Sequence, residues 1–258
     1  MKTARDIRRD LRENRPTVGT WLQIPSADSA EIIARMGYDW AAVDMEHGAF
    51  SRTHLPDIFR ALERWGTLPF VRVSQGTMRQ IKACLDSGAR GLIFPMIETR
   101  AQLDEAIHFS LYPGGKEFPG GRRGVGFSRA NSYGLDFVDH TTPEGLGQDI
   151  VLVAQIEHVD ALGNLEAIFA HPRLDAYMVG PYDLSASMGL TGQFEHPEFL
   201  KALTLIEQKA EAAKLPKGFH VVQPDPEALK AKAAQGYTFL AYGIDSLFLQ
   251  SGRRPSGI

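Results

Sequence analysis

The sequence predicts an α/β fold, a (β/α)8 TIM barrel. Three observations point to it. Eight short, apolar, β-rich runs recur along the chain. Amphipathic helical patterns separate most of them, and such alternation builds parallel βαβ units. The chain has 258 residues, about the length at which eight such units close on themselves. An open doubly wound sheet is the rival, but it brings a glycine-rich turn after its first strand. Here that turn reads Gln23-Ile24-Pro25-Ser26 and holds no glycine.

The strand candidates span residues 18–24, 40–43, 70–73, 91–97, 150–156, 176–179, 219–222 and 238–242. The helix candidate at 26–36 opens on the capping residue Ser26 and sets Ala30, Ile33 and Ala34 on one face. The next, 53–65, carries Leu55, Ile58, Phe59 and Leu62 at helical spacing, and 77–87 carries Met78, Ile81 and Leu85. Segments 100–110, 161–169, 197–214 and 226–235 repeat the pattern. Gly37, Gly66, Gly88 and Gly236 follow helices, where C-terminal caps belong. One segment, 113–126, breaks the rhythm as a long Gly/Pro-rich loop, of a length usually tied to function or disorder. With no low-complexity linker and no defensible repeat, residues 1–258 read as a single domain.

Composition narrows the function classes. Hydrophobic content of 43% and charged content of 23% are those of an ordinary globular chain. The formal net charge of −3 gives no electrostatic ground for nucleic acid or an anionic membrane as partner. Cys84 is the single cysteine, so no intrachain disulfide forms and a reducing cytoplasm fits. The opening MKTARDIRRDLREN lacks the apolar stretch of a signal peptide, and no apolar run reaches membrane-spanning length.

Catalytic groups of such barrels sit at the C-terminal ends of strands. Strand two ends at Asp44-Met45-Glu46-His47, strand three at Arg72, strand five at Gln155-Ile156-Glu157. Strand six ends at Gly180-Pro181-Tyr182-Asp183, strand seven near His220 and Gln223, strand eight at Asp245. Glu157 and Asp183 come from separate strands and can share one hard divalent cation through oxygen. Gln155, two residues before Glu157, points to the same side of the strand. Arg72 offers a permanent cation to a carboxylate or a developing enolate oxygen. His47 suits proton transfer, and Asp86, on the helix after strand three, would orient it if the fold joined them. Singly, each has a plainer reading: Asp183 as a helix cap, Arg72 as a structural ion pair, His47 as a hydrogen-bonded rim residue. Of Asp44 and Glu46, one has only loop backbone to position. Their joint placement on one rim favours enolate chemistry on a 2-oxo acid.

The stretches GTWLQIPSADSAEIIARMGYDWAAVDMEHG, PFVRV, IKACLDSGARGLIFPMI, GRRGVGFSRA, VAQIE and VGPYDLSASMG occur in this order and cover nearly the whole chain. With them the sequence resembles the HpcH/HpaI family of class II, metal-dependent pyruvate aldolases, a phosphoenolpyruvate/pyruvate-type barrel. The resemblance implies that Glu157 and Asp183 are metal ligands, that Arg72 stabilises the enolate, and that His47 is the acid–base with Asp86 its dyad partner. It implies that Gln155 lies near metal and donor, and that Gly180, Pro181, Tyr182 and Asp183 back the oxo acid's carboxylate. The implied reaction is reversible aldol cleavage of a 4-hydroxy-2-oxo acid to pyruvate or hydroxypyruvate and an aldehyde. It runs through an enolate on a divalent metal, Mg2+ or Mn2+, with Co2+ or Ni2+ as alternatives. No lysine ends a predicted strand, consistent with the absence of a Schiff base. Two positions depart from the family pattern. His220 stands where an aliphatic residue is usual, and Tyr182 where some members have a small one; both would line the substrate pocket. The resemblance also implies a homo-oligomer, a hexamer as trimer of dimers, with loop 113–126 a candidate to reach a neighbour's site. Leu247, Phe248 and Leu249 of the tail 246–258 would then cover a partner surface.

Two other classes compete. A CoA-ester lyase of the citryl or malyl type shares the barrel and its carboxylates, but usually carries a longer C-terminal element. A non-catalytic metabolite-binding barrel would show loss of a rim group, yet His47, Arg72, Glu157 and Asp183 are all present.

Overall fold

Strand parity decides which side chains fill the interior. In the computed structural model, which describes residues 2–252 and 254, the chain runs α1 (Ala4–Arg12), β1 (Thr17–Leu22), α2 (Ala27–Ala34), β2 (Trp40–Asp44), α3 (Leu55–Arg64), β3 (Leu68–Arg72) and α4 (Met78–Ser87). It continues β4 (Gly91–Phe94), α5 (Arg100–Ser110), α6 (Phe137–Thr141), β5 (Val151–Ile156), α7 (Leu165–Phe169), β6 (Ala176–Val179) and α8 (Pro181–Ser187). It closes with α9 (Pro197–Ala212), β7 (Lys217–Val221), α10 (Pro226–Ala234), β8 (Tyr237–Ile244) and α11 (Asp245–Gln250). Each strand pairs in parallel with its sequence neighbours, and β8 returns to β1, so the sheet is a closed eight-stranded barrel, as the alternation predicts.

Two cores result. Trp40, Ala42, Phe70, Val151, Val153 and Phe239 pack inside the barrel, while Ala41, Val43, Val71, Leu152 and Ala154 pack outward under the helices. Inside, Trp40 stacks on Phe239 at 4.4 Å and on Phe70 at 5.2 Å. Glycine makes the room: a Cβ on Gly19 would lie 2.0 Å from the Trp40 indole. Large and small residues thus alternate to fill the tapering interior.

Sequence reasoning missed α1. Thr3 and Asp6 form a capping box, and Ala4, Ile7 and Leu11 at helical spacing join the interior core. The helix plugs the N-terminal end of the barrel. Its Arg8 donates to Asp175 at 2.9 Å and pairs with Glu117, which also meets Arg12 and Arg173. Loop 113–126 therefore starts at that end, folded back by the bridge between Pro113 and Gly120.

Boundaries moved where turn chemistry won. The fourth strand stops at Phe94 instead of residue 97, because Pro95 follows and Met96 turns to φ 52°. Segment 161–169 divides into a 3-10 turn, Val159–Gly163, and α7. The tail forms α11, with Leu249 exposed, and residues 253 and 255–258 lie outside the described residues. The four glycines expected as caps all have positive φ, between 82° and 111°.

Burial leaves an acid weakness. Burial and the nearby Arg123 and Arg90 push His140 down to about 4, and burial with Arg100 does the same to His171. The unfolded chain takes up these protons below about 6.5 while the fold refuses them, so their share of stability is lost as pH falls from about 6.5 towards 4. His140 has no partner on Nδ1. His140→Phe is therefore expected to shrink the stability difference between pH 7 and pH 5 by about 2 kcal/mol. Urea unfolding at the two pH values measures it, and an unchanged difference would refute the assignment.

Candidate active site at the C-terminal mouth of the barrel

The parity that buries Trp40 and Ala42 also turns Asp44 inward, one layer nearer the mouth. Phe70 does the same for Arg72, Val153 for Gln155, and Trp21 for Gln23. Asp44 pairs with Arg72 across β2 and β3 in register. The pair is bidentate, with Arg72 Nε donating to Asp44 Oδ1 at 2.9 Å and Nη2 to Oδ2 at 2.7 Å. Gln23 Nε2 donates to Oδ2 at 3.1 Å, and the Glu46 and His47 amides donate to Oδ1, both at 3.2 Å. Burial alone would raise the Asp44 carboxyl; Arg72's hydrogen bonds and charge hold it below the usual range. The Arg72 guanidinium lies 4.5 Å over the Trp21 ring, and its Nη1 points to Glu46 Oε2 at 3.3 Å.

Across the mouth, Glu157 is fully buried. Its Oε1 accepts from the Met96 amide at 2.7 Å, and its Oε2 from Gln155 Nε2 at 2.5 Å. Burial, with Glu46 and Asp183 nearby, pushes Glu157 up to about 7 against the Met96 bond and Arg72. Glu46 is raised too, again first by burial. Gln155 Oε1 and Glu46 Oε2 are buried with no hydrogen-bond partner. Gly180 must be glycine here, since a Cβ would stand 2.2 Å from Glu157 Oε2. Beyond it Pro181 begins α8, and Asp183 lies in that helix's first turn.

Of these groups, Gln23, Arg72, Gln155, Gly180, Pro181 and Asp183 line one cavity of about 270 Å³ with Trp21, His47, Tyr182 and His220. Larger hollows exist, such as one of about 670 Å³ beside α9, but they do not gather these groups. Burial pushes His220 down to about 4, although its Nε2 meets the Gly243 carbonyl at 3.1 Å. Its ring packs 5.5 Å from Trp21. Tyr182 stands half out of the mouth, edge-on to Phe194 at 5.0 Å.

The family model for HpcH/HpaI aldolase/citrate lyase matches residues 17–251. The chain belongs to this family. A hydroxypyruvate/pyruvate aldolase of Roseobacter denitrificans is 33% identical over 252 residues, 96% of this chain and 94% of that protein. A 2-keto-3-deoxy-L-rhamnonate aldolase of Salmonella gallinarum is 33% identical, covering 92% of this chain and 86% of that protein. An HpcH/HpaI aldolase/citrate lyase family protein from Burkholderia cenocepacia has a matching crystal structure, with TM-score 0.87 and 31% identity over 95% of each chain.

Of the site residues expected from the sequence, the structure collects His47, Arg72, Gln155, Glu157, Gly180, Pro181, Tyr182, Asp183 and His220 at one mouth. Asp86 is the exception within one chain. Helix α4 runs from the C-terminal face to the N-terminal face, and Asp86 sits on its last turn. Its carboxylate pairs with Arg123 at 3.1 Å and Lys82 at 3.8 Å, so no His47–Asp86 dyad forms within the chain. The carboxylate beside His47 is Glu46, 3.8 Å from Nε2. Sequence reasoning also undervalued Asp44, which clamps Arg72, and passed over Gln23 and Trp21. Their signal was parity: each lies two residues beyond an interior position. Asp245 follows the end of β8, as expected, opens α11 and accepts the Gln23 and Ile24 amides at 2.8 and 3.1 Å. A further carboxylate–imidazole group, Glu98, His158 and Asp160, joins two neighbouring strand ends, where sequence spacing shows no motif. His158 Nδ1 is occupied there by the Asp160 amide at 3.2 Å.

Proposed function

We propose that the chain catalyses reversible aldol cleavage of 4-hydroxy-2-oxo acids, giving pyruvate or hydroxypyruvate and an aldehyde. The observation that carries this reading is the Asp44-clamped Arg72, aimed into the same small cavity as His47 and the Gly180–Asp183 turn. Pro181 has no amide hydrogen, so the Tyr182 and Asp183 amides open α8 as free donors for the oxo acid's carboxylate. Arg72 Nη1, 3.3 Å from Glu46 Oε2, is the guanidinium nitrogen that Asp44 leaves for the 2-oxo oxygen, where charge grows as the carbon–carbon bond breaks. His47, half open to solvent, takes the proton from the C4 hydroxyl while the C3–C4 bond breaks and the aldehyde departs. The enolate left behind is reprotonated at C3 to give the 2-oxo acid. Glu46 Oε2 lies 3.8 Å from the His47 Nε2.

The residues fit a hard divalent cation. Glu157 and Asp183 would hold it, as Mg2+ or Mn2+, through oxygen. The raised Glu157 and the unpartnered Gln155 oxygen support a site short of positive charge. When bound, the ion supplies Lewis-acid polarisation of the 2-oxo group.

His220 bears on the donor. Its Nε2–H is spent on the Gly243 carbonyl, which leaves Nδ1 an acceptor beside Trp21. A donor with a C3 hydroxyl, such as hydroxypyruvate, supplies the matching O–H. His220→Leu is expected to lower the hydroxypyruvate-to-pyruvate ratio of kcat/KM about tenfold. Parallel donor kinetics test it, and an unmoved ratio would sink the assignment.

We also place the protein in the cytoplasm as a homo-oligomer, a hexamer built from dimers. Supporting this, no helix among the described residues is long and apolar enough to cross a membrane. Phe127, Leu135 and Val138 stand largely exposed on one segment, as a subunit contact would leave them. Light scattering on the eluting protein gives the copy number.

The chemistry is tested without knowing the aldehyde. Deuterium exchange into the methyl group of pyruvate, followed by NMR, should appear with Mg2+ or Mn2+ and vanish after chelation. Its absence with pyruvate and hydroxypyruvate under every metal would overturn the aldolase reading.

A further inference from the structure

We propose that Gln23 is a positioning residue that fixes the plane of the Asp44–Arg72 fork. The inference rests on the aldolase reading, because it concerns the arginine that faces the oxo oxygen. Asp44 is buried and receives five N–H donors. Two backbone amides and Arg72 Nε hold Oδ1. Only Arg72 Nη2 and Gln23 Nε2 hold Oδ2.

The carboxylate torsion of an aspartate is broad, so donors on one oxygen alone do not fix its plane. Arg72 turns with the carboxylate it binds and is restrained only through Glu46, 3.3 Å from Nη1, and the Trp21 ring, so the carboxylate itself needs a constraint from outside the pair. Gln23 supplies an external one. It comes from a different strand edge, and its own position is set from two sides. Its amide donates to Asp245 at 2.8 Å, and its Oε1 accepts from Ser246 Oγ at 3.3 Å. The seam between β8 and β1 thereby braces the pair joining β2 to β3. The nitrogen that benefits is Arg72 Nη1, which Asp44 does not use. Trp21 flanks the guanidinium on one face, so rotation of the fork would swing Nη1 across the cavity.

Gln23→Ala removes the brace and leaves Asp44, Arg72 and every proton-transfer group in place. In the wild-type background kcat is expected to fall about tenfold while KM for the oxo acid changes less than about threefold. In an Arg72→Lys background the fork is already gone, and the same change should cost less than about twofold. A merely structural role would cost the same in both backgrounds. A second arm needs no turnover. In protein labelled with 15N-arginine, the Arg72 Nε–H signal, identified by its loss in Arg72→Lys, should exchange with solvent about fivefold faster in Gln23→Ala. Equal fold-losses in the two backgrounds, or an unchanged Nε–H exchange rate, would overturn the proposal. If the wild-type enzyme enolises no 2-oxo acid, the aldolase reading fails, and the exchange arm still decides whether Gln23 holds the fork.

Discussion

Arg72→Ala is expected to lower metal-dependent enolisation of pyruvate by about 10³-fold. The reason is geometric as much as electrostatic. Among the described residues Arg72 is the one guanidinium lining the cavity, and no Lys lines it either. The variant also strands Asp44, buried and deprived of its counter-charge, which costs about 3–5 kcal/mol of stability. A fall in activity could then reflect unfolding, so two further variants separate the effects. Arg72→Lys keeps the charge and loses the fork, and should fall between wild type and alanine. Asp44→Asn combined with Arg72→Ala removes both charges, and should recover much of the melting temperature but none of the exchange. Exchange within about tenfold of wild type in Arg72→Ala would remove the arginine from the mechanism.

Gly180→Ala is expected to weaken Mn2+ binding about 100-fold, as loss of a ligand's support does. The added Cβ would lie 2.2 Å from Glu157 Oε2, 2.8 Å from its Cβ and 2.9 Å from Gln155 Nε2. Backbone strain is not the cause, because Gly180 has φ −94°, open to any residue. The methyl group acts by displacing Glu157 from the orientation it shares with Met96 and Gln155. Titration calorimetry with Mn2+ reads the effect directly, and a matched melting curve in chelator shows whether the fold survives. Affinity within about threefold of wild type would mean that Glu157 does not hold the ion in this orientation.

The two variants differ in how visible their targets were beforehand. The barrel was legible because the signals for it are local. Apolar runs, helical spacing and four capping glycines are each set by neighbours in sequence. Arg72, Glu157 and Asp183 were legible because a parallel barrel brings all strand ends to one face. Helix α1 was hidden by its charges, four arginines over a stripe of only Ala4, Ile7 and Leu11. Gly180 carried no local signal, since its constraint comes from a side chain on another strand.

The sequence by itself determined the barrel, the rim and the residue types on it, because period-2 and period-3.6 patterns specify elements and their direction. Only the tertiary structure decided who meets whom. It sent Asp86 to the far end of α4, beside Arg123, and paired Arg72 with Asp44. It tied Asp44 to Gln23 and His220 to Gly243. Such pairings depend on strand register and on helix direction through three dimensions. A displacement of one residue in register turns a side chain from the mouth to the helices, and no local pattern records that choice.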